Sequence, residues 1–126
     1  MKLSANLGLL WSELPLLERV YKAKEKNFDA VEFQFPYEVD ANELKKAIDK
    51  INLPIIGINT IKGNVSKGDN GLNAIPSKVQ EARVAIDQAI EYAKVIGSKN
   101  IHFMCGITEQ NHNSLKTLVE NLQYAV

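Results

Sequence analysis

Phe28-Asp29-Ala30-Val31-Glu32-Phe33-Gln34-Phe35-Pro36-Tyr37 is the stretch whose reading decides the fold. With a side-chain period of two, Val31, Phe33 and Phe35 point one way while Ala30, Glu32 and Gln34 point the other. The β-branched and aromatic content suits a strand, and Pro36, which has no N–H to give to a ladder, ends it. Glu32 is the anomaly. A carboxylate in a short apolar strand is costly to bury unless it is paired, hydrogen-bonded or used. Either this side of the strand faces water, as one side of many sheets does, or it faces a binding site. The neighbouring segments have to decide.

Working outward, Leu3 to Leu7 alternates and ends at Gly8, which predicts a first strand with Ser4 and Asn6 on one side. Ser12 and Pro15 open a helix whose apolar positions Leu16, Leu17, Val20, Tyr21 and Ala23 recur at helical spacing, with Asn27 as its C-cap. Beyond Pro36, Asp40 caps a second helix over 41–51, buried through Leu44, Ala47, Ile48 and Ile51. Leu53 to Asn59 is nearly all apolar, as strands covered on both faces are. Thr60 to Ser77 is a polar, Gly- and Asn-rich loop, long enough to be expected to work as a lid over a ligand. Ser77 then caps a long helix to Ile96, closed by Gly97. Asn100 to Met104 gives a fourth strand, and Leu115, Leu118, Val119, Leu122 and Tyr124 mark the apolar stripe of a fourth helix. The order βαβαβαβα specifies a parallel sheet with right-handed crossovers. No Gly-x-Gly-x-x-Gly or Walker-type loop follows any strand, and the glycines of 63–71 match neither spacing, which argues against nucleotide binding.

Composition narrows the function further. A chain of 126 residues with 45% hydrophobic content builds one domain with a real core, read here as a single unit over 1–126. Fifteen basic and fifteen acidic residues cancel without long blocks, against a nucleic-acid footprint or a membrane anchor. No apolar run approaches the roughly 20 residues of a membrane helix. The lone Cys105 excludes an internal disulfide, and the first residues lack a signal-peptide core, so a cytoplasmic setting is expected.

Placed side by side, each strand carries one polar residue at or near its C-terminal end: Asn6, Glu32, Asn59 and His102. Small residues lie two positions before them, and large apolar groups such as Phe33 and Ile58 occupy the opposite face. In parallel α/β proteins the large residues meet the helices, and ligands bind at the C-terminal ends of the strands. Each residue also has a plainer reading. His102 alone suits a satisfied core histidine, and Asn6 and Asn59 suit turn caps. Trp11 is either a core-covering aromatic or a wall of the pocket. Cys105 has no base placed by the sequence to activate it, and His112 sits among capping residues. The arrival of four polar groups in phase favours a shared pocket.

The chain resembles the hydroxypyruvate isomerase family of the xylose-isomerase-like TIM (β/α)8 barrels. Ala5-Asn6-Leu7, 28–33 with Phe35-Pro36-Tyr37, Asn59-Thr60, 68–76, 101–104 with Gly106, and Glu120-Asn121-Leu122 with Tyr124-Ala125 carry the resemblance. It implies a (βα)4 parallel half of such a barrel, since a full one needs about 250 residues. The implied reaction interconverts hydroxypyruvate and tartronate semialdehyde by metal-assisted proton transfer, with related sugar or oxo-acid isomerases and epimerases as alternatives. The resemblance places the Mg²⁺ or Mn²⁺ ligands and the catalytic glutamates in the other half of the barrel. Glu32 and His102 then carry over as substrate-pocket residues, beside Asn6, Asn59 and Trp11 of the pocket read from the strands, with no catalytic or metal role, and the chain alone is expected to be inactive and to bind no metal. Two further readings stay open: a non-catalytic binding or assembly module, and a dimer bringing two Glu32 and two His102 to one mouth. Unpaired edges at the first and fourth strands lead to an expected homodimer or larger oligomer, taking a small hydroxy-carbonyl substrate.

Overall fold

A computed structural model describes all residues 1–126. Four short strands alternate with four helices: β1 (Ser4–Asn6), α1 (Leu16–Glu25), β2 (Ala30–Glu32), α2 (Ala41–Ile51), β3 (Ile58–Asn59), α3 (Val79–Ile96), β4 (Ile101–His102) and α4 (His112–Tyr124). Strand neighbours follow chain order, β1 beside β2 and β3 beside β4. The β1–β2 ladder is parallel, with Ser4 opposite Ala30, Ala5 opposite Val31 and Asn6 opposite Glu32. The expected βα alternation is present, in strands shorter than the apolar runs that encode them. The chain resolves into two compact units, residues 1–59 with 91–101, and residues 60–90 with 102–126.

In the first unit, Ala5, Leu7, Val31 and Phe33 are buried while Asn6, Glu32 and Gln34 remain half-buried, so the alternation of the opening stretch is real. β3 departs from the expected phase. Val31 pairs with Ile55, yet the Phe33 N–H donates to the Gly57 carbonyl at 3.0 Å and the Asn59 N–H to that of Gln34 at 3.0 Å. Between the Val31–Pro54 and Phe33–Gly57 bonds the third segment spends three residues against two, a local bulge at Ile56–Gly57, and by the Asn59–Gln34 bond the two segments are level again. The consequence of the bulge is that Ile55 and Ile58 are both buried, whereas Ile56, expected on the face of Ile58, is only half-buried.

Helix ends follow local chemistry, with two corrections. Asp40 caps α2 as expected, accepting from the Asn42 and Glu43 N–H groups at 3.0 and 3.1 Å. Asn27 is left-handed (φ 59°) after α1, with its N–H on the Lys24 carbonyl and that of Phe28 on Ala23, a six-to-one closure of the last turn. Ser12 does not cap α1, which starts four residues later, at Leu16 behind Pro15. Ser77 lies inside a 3₁₀ turn, Pro76–Lys78, that leads into α3.

The second unit holds the largest correction. The apolar stripe expected to bury α4 faces outward, with Leu115 62%, Val119 43% and Leu122 42% exposed. The buried residues of α4 are Ser114, Thr117 and Asn121. A polar face goes inward because its partners are polar. Asn121 Nδ2 donates to the Asn73 carbonyl at 3.0 Å, and Asn73 Nδ2 donates to Thr60 Oγ1 and the Met104 carbonyl, both at 3.1 Å. Nor is the 60–77 segment a free lid. Its stretch Gly71–Ala74 is buried, with the Leu72, Asn73 and Ala74 N–H groups bound to the Met104 and Cys105 carbonyls. Gly71 (φ 114°) pairs with Cys105, and a Cβ there would stand 2.5 Å from the Met104 carbonyl oxygen.

Candidate functional site

The first unit assembles its polar groups at the C-terminal ends of β1, β2 and β3. Asn6 and Glu32 share the last rung of the β1–β2 ladder. The rung is continued by the Leu7 N–H, which donates to the Glu32 carbonyl at 2.9 Å. Asn6 is fixed at its oxygens: Oδ1 accepts the Gly8 N–H at 3.0 Å, and its backbone carbonyl accepts those of Leu9 and Leu10. Its amide nitrogen is left to donate elsewhere. The half-buried Glu32 carboxylate takes part in none of the four ion pairs of the chain. A free amide donor beside a free carboxylate acceptor suits a ligand that carries both carbonyl and hydroxyl oxygens.

Asn59 is set by two tyrosines. The Tyr37 hydroxyl donates to the Asn59 carbonyl, and the Tyr92 hydroxyl of α3 reaches the Pro36 and Val39 carbonyls at 2.9 and 2.8 Å. The two rings meet edge to face, 5.2 Å between centroids. Burial pushes the Tyr37 hydroxyl well above its ordinary value, with Tyr92 adding to the shift. Burial, then the nearby Asp40, pushes Tyr92 up to about 12. Both remain protonated donors near neutral pH, so the loop after β2 is clamped to the end of β3.

Trp11 is placed elsewhere. Its ring lies edge-on to Phe28, 6.2 Å between centroids, with the Lys22 ammonium 5.7 Å from it. Phe28 precedes Glu32 by four residues and lies before β2 begins, so the indole covers the flank of the first core. His102 belongs to the second unit, where it is exposed and its carbonyl accepts the Thr60 N–H at 3.0 Å. That unit also contains a cavity of about 580 Å³ lined by Ala74, Cys105, Thr108, His112, Ser114 and Leu118, among others. No three His, Cys, Asp or Glu side chains converge as a metal cage.

Sequence reasoning missed the tyrosine clamp and the Asn73–Asn121 network. Thr117 and Asn121, four residues apart on a helix, were the one available signal for the latter. It missed Arg19 as well, whose guanidinium binds the carbonyls of Leu7, Ser12 and Leu14 at 2.9, 2.8 and 2.6 Å.

Comparisons with known proteins bear on the family. The 2-oxo-tetronate isomerase of Haemophilus influenzae is 36% identical over 127 residues, covering 98% of this chain and 49% of that protein. The hydroxypyruvate isomerase of Escherichia coli K12 is 38% identical over 128 residues, covering 99% and 50% respectively. A crystal structure from Brucella melitensis, described as an AP endonuclease of family 2, superposes with a TM-score of 0.90 at 36% identity, over 99% of this chain and 50% of that one. The chain thus spans about half the length of the curated relatives it matches. The family model described as the xylose isomerase-like TIM barrel matches residues 20–126, and the chain belongs to that family.

Proposed function

We propose that this chain supplies the substrate-pocket half of an isomerase that interconverts hydroxypyruvate and tartronate semialdehyde. The observation that carries the reading is the Asn6–Glu32 rung, a free amide donor and a free carboxylate side by side. In this role Asn6 Nδ2 donates to a carbonyl or carboxylate oxygen of the substrate, and Glu32 accepts from its hydroxyl. Asn59, held by Tyr37, borders the same strand ends. Isomerases named for hydroxypyruvate and for 2-oxo-tetronate among the relatives support the substrate class, a small hydroxy acid with an adjacent carbonyl. A related sugar or oxo-acid isomerase is the alternative substrate choice.

The residues present do not compose a metal site. A divalent cation such as Mg²⁺ or Mn²⁺ is proposed for the complete barrel only, and no step here runs through it. The lone exposed thiol of Cys105 fits a reducing, cytoplasmic setting. The unpaired edges of the first and fourth strands are proposed to pair with a second copy of the chain, and the outward stripe of α4, Leu115, Val119 and Leu122, offers further apolar surface for that contact.

The test is hydroxypyruvate–tartronate semialdehyde interconversion with added Mg²⁺ or Mn²⁺. The chain alone is expected to be inactive, and mixing it with the C-terminal half of the E. coli hydroxypyruvate isomerase to give activity that Glu32→Ala removes. Activity equal with and without Glu32, or none on mixing, contradicts the reading. Activity of the chain alone that vanishes in Glu32→Ala would instead favour a self-complementing dimer.

A further inference from the structure

We propose that Arg19 is the positioning residue of the pocket, holding Asn6 beside Glu32 through the backbone of the loop between β1 and α1. The inference rests on the pocket reading above. Arg19 lies in the first turns of α1 and turns its half-buried guanidinium back over that loop. It pairs with no carboxylate, and spends its planar fork on neutral carbonyls: Nη1 on Leu7, Nη2 on Ser12 and Nε on Leu14. A charged donor on several neutral acceptors fixes geometry in a way that one flexible ammonium does not.

The three acceptors bracket the loop. Leu7 is the residue after Asn6, and its N–H is already bound to the Glu32 carbonyl. With Arg19 on its carbonyl, both polar groups of the Leu7 backbone are tied, one to β2 and one to α1. Gly8 follows, close enough that a Cβ on it would meet the Gln34 side chain at 2.5 Å, and its N–H holds Asn6 Oδ1. The orientation of the Asn6 amide therefore depends on where Gly8 stands, and Gly8 stands on the carbonyl that Arg19 holds. Between the Leu7 and Ser12 anchors, Trp11 takes φ 56°, a conformation that a bulky residue keeps only when its surroundings impose it. Releasing the guanidinium frees that strain and lets the Asn6 amide rotate.

The experiment compares Arg19→Lys and Arg19→Ala with the parent chain by ¹⁵N NMR, adding hydroxypyruvate as the probe. Both variants are expected to shift the Asn6 side-chain amide signals and to speed Gly8 amide exchange at least about tenfold, one lost charge-assisted bond being worth that much. Hydroxypyruvate affinity should fall by about tenfold too, and millimolar methylguanidinium should restore the Asn6 signals of Arg19→Ala, a rescue that general destabilisation does not show. If Arg19→Ala unfolds, Arg19→Lys carries the same comparison. Unchanged Asn6 signals and Gly8 exchange in the folded variant overturn the proposal. A parent chain that ignores hydroxypyruvate, while Asn6 and Gly8 respond to Arg19, overturns the pocket reading and leaves the positioning role standing.

Discussion

The Asn121 side-chain amide donates to the backbone carbonyl of Asn73 at 3.0 Å, joining two residues 48 positions apart, both buried. This bond explains why α4 turns its polar face inward. Asn121→Ala strands the Asn73 carbonyl and is expected to cost about 1–3 kcal/mol. Leu122→Ala, on the outward face, is expected to cost under about 0.5 kcal/mol when both variants are measured at concentrations low enough to keep the chain monomeric. Urea denaturation of the two variants checks the order, and a costlier Leu122→Ala would return α4 to its apolar docking.

Asp69 anchors the 60–77 segment. Its side chain is 8% exposed, accepts Lys78 Nζ at 2.5 and 2.6 Å, and accepts the Asn64 N–H at 2.8 Å. The Lys78 hydrogen bond, then that of Asn64, holds its carboxyl below the usual range. A carboxyl depressed in the folded state contributes stability above its unfolded value of about 3.9, and that contribution is lost as pH falls through the lower folded value. Stability of the parent chain should therefore drop more steeply below about pH 4 than that of Asp69→Asn, which is weaker at neutral pH. Parallel pH profiles of thermal midpoint for the two proteins would remove Asp69 from this role.

The bulge in the third segment ranks its isoleucines. Ile58→Ala empties a buried site and is expected to cost about 2–5 kcal/mol. Ile56→Ala, half-buried, should cost clearly less. Equal losses in chemical denaturation would mean that β3 keeps the simple two-residue alternation.

Self-association through α4 predicts a dimer or larger species at micromolar concentration by light scattering. Leu115→Lys with Leu122→Lys should shift it to monomer with little change in folding, since both side chains are outward. A parent chain that is monomeric at that concentration rules out this use of the stripe.

Much of this was readable in advance where structure is set locally. The alternation around Glu32, the Asp40 cap and the Gly97 close of α3 depend on residues a few positions apart, and each is present. Two features depend on distant partners. The local bulge at Ile56–Gly57 is set by hydrogen bonds to residues 31–34 of the neighbouring segment, and Leu53–Asn59 is apolar on either phase. The direction of α4 was missed because its leucines form a proper stripe, while the carbonyl that draws Asn121 inward lies in a loop whose path no periodicity describes. Among the pocket residues, Asn6 and Glu32 were legible together because one parallel register joins them. The Arg19 fork was not, since its acceptors are backbone carbonyls and leave no mark on residue type.

The central claim is that the Asn6–Glu32 rung recognises a small hydroxy-carbonyl acid. Its most direct test is titration of the ¹⁵N-labelled chain with hydroxypyruvate, reading each assigned amide. The account predicts saturable shifts concentrated at Asn6, Glu32 and Asn59, abolished in Glu32→Ala while the folded spectrum persists. Shifts absent from these residues, or unchanged without the Glu32 carboxylate, would contradict it.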